Sequence, residues 1–222
     1  MTKKRELNYL KILVYYLILL AIWSFRELLL ESFIRSNLGD LGAELVGEFI
    51  KLAVWALPAA LLVLYYKSEM YVTLRGMFTT KVDILLYLLI FFGFLAVNLV
   101  GSLINEGKIV PTFPEPISSM IGTVLLVGIT EEMVFRGFLQ NALVQKMEST
   151  YALITSSLMF VVIHFPIWIY KGIFTGLFQV LGNCVSIFCL SLVFGWTFMK
   201  SRNIIVPICL HMSWNLIVIL FR

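Results

Sequence analysis

The sequence predicts an all-α, polytopic membrane helix bundle with about seven transmembrane helices. Of its 222 residues, 60% are hydrophobic and only 14% are charged, which is typical of a chain that lies mostly in lipid. Its apolar runs are about 20 residues long, the length of a membrane-spanning helix, whereas strands of a membrane β-barrel alternate over about ten residues. No repeat or linker divides the chain, so we expect one membrane domain over residues 1–222.

Three apolar runs form the N-terminal part of the chain, residues 1–110. They cover about residues 9–30, 45–66 and 82–104. The first run follows a basic segment at residues 3–5, but its length and the lack of a small-residue cleavage site favour an uncleaved span over a signal peptide. Glu48 and Lys51 lie near the start of the second run, where we expect them to pair or to reach toward the interface.

Four further runs form the C-terminal part. They cover about residues 117–146, 151–170, 176–199 and 203–221, after a loop with Pro111, Pro114 and Pro116. Pro166 and Pro207 are each expected to remove a helical hydrogen bond and to free a carbonyl such as that of Asn203. Broken backbone of this kind is tolerated at membrane depth where it lines a wet cavity, and an ordinary helix kink is the alternative.

The distribution of lysine and arginine predicts the orientation, because cytoplasmic loops of membrane proteins are enriched in these residues. With a cytoplasmic N-terminus, the inner side holds Lys3, Lys4, Arg5, Lys67, Arg75, Lys81, Lys146, Lys200 and Arg202. The outer side then holds only Arg35, Lys108, Lys171 and Arg222. We therefore expect a multi-pass protein of the cell membrane with a cytoplasmic N-terminus. No cluster of basic and aromatic residues indicates nucleic-acid binding.

Residues 130–137, with the sequence Thr-Glu-Glu-Met-Val-Phe-Arg-Gly, place three ionisable side chains inside the apolar run 117–146. A charge at bilayer depth costs about 2.5–3.5 kcal/mol on insertion scales, so such groups indicate function. Glu132 and Arg136 are one helical turn apart and can neutralise each other. Glu131 lies about 100° around the helix from Glu132 and must find its partner on another helix.

Both histidines of the chain also lie inside predicted spans. His164 lies in the run 151–170, and His211 lies in the last run, one turn from Asn215 on the same face. From the helical rise of about 1.5 Å per residue, Glu131, His164 and His211 can meet in one layer of the membrane. A single membrane histidine is often a packing group, but two histidines with an unpaired glutamate favour a functional site.

These residue types suit hydrolysis of a peptide bond by an activated water molecule. A glutamate among apolar helices can act as a general base, and beside His164 it can take a proton from water and hand it to the leaving amine. His211 and Asn215 can donate hydrogen bonds to a tetrahedral oxyanion. The alternative is a zinc site formed by Glu131, His164 and His211, although no His-Glu-x-x-His helix is present. The cysteines are expected to be small buried hydrophobic groups: Cys184, Cys189 and Cys209.

The same residues resemble the CPBP family, the CAAX proteases and bacteriocin-processing proteins that are also called Abi or Rce1-like. The resemblance rests on Glu131-Glu132-x-x-x-Arg136, Phe160-x-x-x-His164 and His211-x-x-x-Asn215, in this order on successive predicted helices. It covers about residues 117–221, which we expect to form the catalytic core of the last four spans. It implies an intramembrane endopeptidase whose helices enclose a cavity open to the cytosolic side.

The resemblance also implies roles for these residues. Glu131 corresponds to the glutamate that activates water together with His164. His211 and Asn215 correspond to the pair that forms the oxyanion hole. Members of the family are described either as metalloproteases or as metal-free glutamate proteases. Both readings stay open from the sequence, so either no cofactor is required or zinc is bound.

Glu132 and Arg136 correspond to supporting residues of the family motif. Eukaryotic prenyl-protein proteases of this family have eight spans, whereas this compact chain has about seven and resembles a bacterial member. The expected substrate is therefore a membrane-associated protein or peptide, such as a bacteriocin or signal-peptide precursor. Two alternatives stay open: a non-catalytic membrane scaffold or bacteriocin self-immunity protein, and a transporter or proton relay, against which the missing inverted repeat counts.

Overall fold

The computed structural model describes residues 6–111, 113, 122–174 and 176–221. These residues are mostly helical and include no β-strand, which confirms the predicted all-α class. Four helical stretches are long and apolar enough to cross a membrane, and a shorter apolar helix accompanies them: Tyr9–Tyr65, Leu85–Glu106, Ser149–Tyr170, Leu177–Ser201 and Ile205–Leu220. The chain is a membrane protein, and the count of seven spans stays a prediction.

The first two predicted spans form one N-terminal hairpin, Tyr9–Tyr65, without an irregular loop between them. Its parts are α1 (Tyr9–Phe25), a π-helical segment (Arg26–Leu30), α2 (Glu31–Ile50), a second π-helical segment (Lys51–Ala56) and α3 (Leu57–Tyr65). The backbone leaves the helical region at Gly39, where φ is 68° and ψ is −178°, a conformation essentially restricted to glycine. The rings of Trp23 and Trp55 then lie 4.9 Å apart, whereas a straight helix would separate them by ~48 Å. The chain therefore folds back on itself near Gly39.

An ion cluster lies close to the turn of this hairpin. Arg26 is 2.5 Å from a carboxylate oxygen of Glu27 and 2.7 Å from one of Glu31. Glu31 also pairs with Arg35 at 2.7 Å. A Cβ atom on Gly47 would lie 2.6 Å from the Arg26 guanidinium, so a glycine allows the second arm to approach this closely.

Short elements connect the hairpin to the third predicted span. A 3₁₀ turn (Lys67–Glu69) and α4 (Leu74–Thr79) precede α5 (Leu85–Glu106), which lies close to the predicted run 82–104. Helix α5 ends at Gly107, whose φ of 68° provides a left-handed cap. Pro114, Pro116 and residues 117–121 at the start of the predicted fourth span lie outside the described residues.

The site helix, residues 122–143, is the most deeply buried helix of the described chain. It consists of a π-helical segment (Gly122–Leu126), α6 (Val127–Glu132), a second π-helical segment (Met133–Gln140) and α7 (Asn141–Leu143). Every residue from 130 to 143 is buried. Phe135 packs against Trp55 of the hairpin and against Phe160, with ring centroids 6.4 and 4.8 Å away. The polar motif is therefore enclosed by protein rather than by lipid.

Four helices complete the bundle: α8 (Ser149–Val162), α9 (Phe165–Tyr170), α10 (Leu177–Ser201) and α11 (Ile205–Leu220). Pro166 lies in the first turn of α9, so the predicted interruption beside His164 is present. The prediction for Pro207 is wrong, because this residue lies in the first turn of α11, where a helix needs no N–H donor. The carbonyl of Asn203 is also not free, since it accepts a hydrogen bond from Ser201 Oγ at 3.0 Å.

The expectation of buried cysteines is only partly correct. Cys184 is half-buried, but Cys189 and Cys209 are exposed on the surfaces of α10 and α11. All three are free thiols. Cys189 and Cys209 therefore lie on the surface of apolar helices and not in the protein core.

Candidate active site

Glu131 and Glu132 leave the site helix in different directions and enter different environments. Glu132 is completely buried, whereas Glu131 retains 7% exposure and lines a cavity of about 220 Å³. The difference follows from the rotation of about 100° between consecutive helical residues. One carboxylate is therefore built into the core, and the other faces an internal space.

Glu132 is the centre of a buried polar network. Its Oε1 accepts hydrogen bonds from Arg136 Nη1 at 3.0 Å and from His211 Nδ1 at 2.7 Å. Arg136 Nη2 in turn donates to the carbonyl oxygen and the hydroxyl of Ser191 on α10, at 2.9 and 2.7 Å. The ion pair of Glu132 and Arg136 expected from their spacing is present, and it connects the site helix to both α10 and α11.

Glu131 faces both histidines. It lines the cavity together with His164, and its Oε2 lies 4.0 Å from Nε2 of His211. The structure thus brings together the three side chains that were expected to meet in one layer of the membrane. Glu131, His164 and His211 come from the site helix, the α8–α9 junction and α11, so the arrangement depends on the packing of the whole C-terminal part.

The helix break at His164 sets the orientation of its ring. Helix α8 ends just before His164 and α9 begins just after it, because Pro166 fits only in the first turn of a new helix. Nδ1 of His164 lies 2.7 Å from the carbonyl oxygen of Phe160, one turn earlier. A carbonyl can only accept, so Nδ1 donates and Nε2 is left to accept or release a proton.

His211 is held on two sides. Its ring stacks on Phe194 with centroids 4.8 Å apart and an angle of 15°, while Nδ1 donates to the ion-paired carboxylate of Glu132. Nε2 is therefore the nitrogen that faces Glu131. The same pattern occurs at both histidines: one nitrogen is fixed by the protein and the other is available for chemistry.

A close helix contact positions α11 against the site helix. A Cβ atom on Gly128 would lie 2.9 Å from Met212 Cγ and 3.6 Å from the carbonyl oxygen of Ile208. Gly128 precedes the acidic pair by one turn, and Met212 follows His211 directly. The absence of a side chain at Gly128 therefore lets His211 approach both glutamates.

Asn215 lies at the periphery of this arrangement. It is not among the described residues that line the cavity with Glu131 and His164. Its Nδ2 donates to the carbonyl of Thr123 at 3.0 Å, and Thr123 does line the cavity. A side-chain amide carries two N–H groups, so one remains for another acceptor.

Three helical stripes form the walls of the cavity. The site helix provides Thr123, Val127 and Glu131. The segment around α9 provides Ile163, His164, Ile167 and Lys171. The hairpin provides Trp23, Glu48, Lys51 and Trp55. Lys51 Nζ lies 3.8 Å from Glu48 Oε1, so the expected pairing of these residues is present. The sequence analysis did not assign Glu48 and Lys51 to the site, although two charged residues inside an apolar run indicate a functional position.

The side chains proposed as zinc ligands do not form a metal site in this arrangement. Across the part of the chain that the structure describes, no three His, Cys, Asp or Glu side chains are grouped so that they could hold a metal ion. Nδ1 of His164 is bonded to a carbonyl and Nδ1 of His211 to Glu132. These bonds leave Nε2 of both histidines for other partners, so the metal-free and the zinc alternatives both stay predictions.

Comparison with known proteins agrees with the motifs. Residues 113–217 match the family model described as Type II CAAX prenyl endopeptidase Rce1-like. This range contains every motif residue from Glu131 to Asn215. Comparisons with curated proteins and with solved structures give no match. On this match and the motif residues, the segment 113–217 belongs to the CPBP family of CAAX-type proteases.

Proposed function

We propose that the protein hydrolyses a peptide bond of a membrane-associated protein or peptide, with Glu131 as the general base. Family membership implies CAAX-type intramembrane endopeptidase activity, and the residue roles are our own assignment. The observation that carries the assignment is the cavity of about 220 Å³ that Glu131 and His164 share, with His211 Nε2 4.0 Å from Glu131. A polar cavity of this size has room for several water molecules.

In the proposed reaction, Glu131 takes a proton from a water molecule and the hydroxide attacks the carbonyl carbon of the scissile bond. The tetrahedral intermediate then loses its amine, which receives the proton from Glu131 directly or through His164. His164 suits this transfer because its Nδ1 is bonded to the carbonyl of Phe160, which leaves Nε2 for the proton. Positioned acid–base groups of this kind contribute a factor of ~10²–10⁴ in rate.

His211 and Asn215 are the proposed donors to the oxyanion. Because Nδ1 of His211 is bound to Glu132, His211 can donate from Nε2 only when that nitrogen also carries a proton. His211 must carry this proton before the reaction starts, because the proton that Glu131 takes from water goes to the leaving amine. Asn215 has a second amide N–H beside the one bonded to Thr123. Removing one such donor typically costs ~10²–10³ in kcat.

The test compares cleavage by the parent protein with cleavage by Glu131→Gln and Glu131→Ala. Glu148→Gln is the matched control, because it removes the same charge from an exposed carboxylate just before α8. We expect membrane proteomes to show precursors that accumulate in both Glu131 variants and are processed normally in the control. With a precursor identified in this way, kcat/KM of purified Glu131→Gln should fall by ~10² or more.

Two results would count against this function. Undiminished cleavage by Glu131→Gln would rule out Glu131 as the base. A variant that cleaves nothing but keeps the biological function in cells would instead support a scaffold or self-immunity role, since the amide preserves hydrogen bonding but cannot act as a base.

A further inference from the structure

An apolar groove of about 570 Å³ runs between α5 and α11. Each wall is a stripe of residues on one helical face: Ile84, Leu88 and Phe91 at the start of α5, and Val206, Leu210 and Ser213 on α11. The Ser213 hydroxyl donates to the carbonyl of Cys209 at 2.7 Å, so its proton is used within the helix. The groove is therefore a mainly apolar channel that follows α11 for ~12 Å.

The groove is separate from the catalytic cavity. Among the described residues, none lines both spaces. Leu210 lines the groove, whereas the next residue, His211, donates to Glu132 of the site helix. Consecutive residues of a helix point about 100° apart, so α11 presents one face to the catalytic residues and another to the groove.

One end of the groove continues into a polar space of about 250 Å³. Val82 and Tyr87 line both. Lys81 and Lys200 line the polar space, are exposed, and form no ion pair with a carboxylate among the described residues. Asp83 also lines it, and its Oδ1 accepts the first backbone N–H of α5 at 3.2 Å. Two cations without an ion pair thus face one carboxylate, which favours an anionic ligand.

The polar space lies where two apolar helices end. Lys81 shortly precedes the apolar helix Leu85–Glu106, and Lys200 is the last residue but one of Leu177–Ser201. The ends of membrane-spanning helices lie at the depth of the lipid headgroups, and their middles lie in the hydrocarbon region. The cations are therefore at headgroup depth, and the groove leads from them toward the depth of the acyl chains.

Hydrogen bonds between two loops fix the polar end of the groove. Asn203 Nδ2 donates to the carbonyl of Thr80 at 2.8 Å, and the backbone N–H of Ile204 donates to the carbonyl of Met77 at 2.9 Å. These bonds join the segment before α5 to the segment before α11. The two walls are thereby held relative to each other, and a preformed site loses less free energy to ordering when a ligand binds.

We propose that the groove binds one acyl chain of an anionic phospholipid whose headgroup phosphate lies between Lys81 and Lys200. The chain alone gives little preference for the groove, because the surrounding lipid is equally apolar. Selectivity therefore comes from the headgroup, and basic pockets between membrane helices suit anionic headgroups. A zwitterionic headgroup carries its own cation, which reduces the attraction of its phosphate to the two lysines. The site does not depend on the proposed protease activity.

The test is a lipid titration of the purified, delipidated protein in a maltoside detergent, followed by native mass spectrometry. We expect one dioleoylphosphatidylglycerol to bind ~10-fold more tightly than dioleoylphosphatidylcholine. Lys81→Gln combined with Lys200→Gln should remove this preference. Lys67→Gln combined with Lys108→Gln is the matched control, because both of these lysines are exposed and lie outside the groove and its polar end. Equal binding of the two lipids by the parent, or an equal loss of preference in the control, would overturn the proposal.

A second measurement locates the lipid through the protein's own thiols. Cys209 is exposed and lines the groove, whereas Cys189 is exposed on α10 and does not line it. At ten times its Kd, phosphatidylglycerol should slow the reaction of Cys209 with a maleimide by ~10-fold and leave Cys189 unchanged, as followed by peptide mass spectrometry. Unchanged reactivity of Cys209 at saturating lipid would overturn the groove as the binding site.

A variant that fills the groove gives the complementary result. Ser213→Trp places a large ring where the chain is proposed to lie, so phosphatidylglycerol binding should fall ~10-fold or more. Val185→Trp is the matched control, because Val185 is 60% exposed on α10 and lies outside the groove. Melting temperatures of both variants establish that each is folded. A folded Ser213→Trp protein that binds the lipid as tightly as Val185→Trp would exclude the groove.

Discussion

Glu131 and Glu132 are neighbours in the chain, and their surroundings suggest different tasks. Glu132 is buried and shares its Oε1 between Arg136 and His211, so its charge is balanced by the core. Glu131 faces the cavity, with no comparable ion pair to a guanidinium among the described residues. Because a carboxylate at bilayer depth needs compensation, the Glu132 network is best explained as support for His211. This difference is why the proposed function assigns the reacting carboxylate to Glu131.

This difference predicts unequal effects of two alanine substitutions on stability. Glu132→Ala leaves the Arg136 guanidinium buried without its carboxylate, with the oxygens of Ser191 as its remaining hydrogen-bond acceptors among the described residues. Breaking a buried ion pair in this way costs about 3–5 kcal/mol. We expect Glu132→Ala to lower the melting temperature of the purified protein in detergent strongly, and Glu131→Ala to melt close to the parent. Thermal unfolding followed by tryptophan fluorescence measures both.

The control for this prediction removes both charges. Replacing both partners of a buried pair by apolar residues is often neutral or stabilising. Glu132→Leu combined with Arg136→Met should therefore recover much of the melting temperature lost in Glu132→Ala. Equal melting temperatures for Glu131→Ala and Glu132→Ala would show that the ion pair of Glu132 and Arg136 does not stabilise the core.

The spacing of residues in the sequence predicts some of these contacts but not others. The ion pair of Glu132 and Arg136 follows from their separation by one helical turn, which is a local property. The hydrogen bonds from Arg136 to Ser191 depend on how α10 packs, and no local pattern contains that information. The same limit explains why the expectation that Lys51 pairs with Glu48 or reaches toward the interface did not include its place in the candidate active site.

At the scale of elements, the two prolines near the histidines show that position within a helix decides what a proline does. Pro166 lies at the start of α9 and separates it from α8, which leaves His164 at the break. Pro207 lies in the first turn of α11, where the missing N–H costs nothing, and the helix continues through His211. The positions of both prolines are known from the sequence, but the residue at which each helix starts is not. The sequence therefore could not show that only Pro166 separates two helices.

The contact between the site helix and α11 predicts a size-dependent effect at Gly128. An alanine there would press on the Met212 side chain, which can move, whereas a valine would also approach the carbonyl of Ile208. Separating these helices by about 1 Å would move His211 away from Glu131, and such displacements cost up to ~10² in rate. We expect kcat/KM to fall modestly in Gly128→Ala and by ~10-fold or more in Gly128→Val.

A second substitution separates this effect from a general loss of packing. Met212→Ala removes the nearest obstacle and should restore most of the activity of Gly128→Ala. Gly93→Ala on α5 is the matched control, because a Cβ atom there meets nothing within 4 Å. If Gly128→Val cleaved as fast as the parent, the helix contact would not control the position of His211.

At the scale of the whole molecule, the candidate active site extends beyond the part of the chain that carries the motifs. The family match covers residues 113–217, yet one wall of the cavity comes from the hairpin Tyr9–Tyr65. Apolar run lengths were enough to predict helices in this region. They could not show that the two arms are joined by helix up to Gly39 and fold back, because Trp23 and Trp55 meet only in the tertiary structure. The hairpin therefore contributes a wall of the candidate active site.

This view predicts that a residue outside the matched region controls cleavage. Trp55 is 1% exposed, lines the cavity and packs against Trp23 and Phe135. Trp55→Ala should cost about 3–5 kcal/mol of stability and let the wall beside Glu131 collapse, whereas Trp55→Phe keeps an aromatic ring there. Measured well below each melting temperature, kcat/KM should fall ~10-fold or more in Trp55→Ala, much less in Trp55→Phe, and not at all in Trp196→Ala, whose ring is on the surface of α10. A folded Trp55→Ala protein that cleaves at the parent rate would show that the hairpin only anchors the catalytic helices.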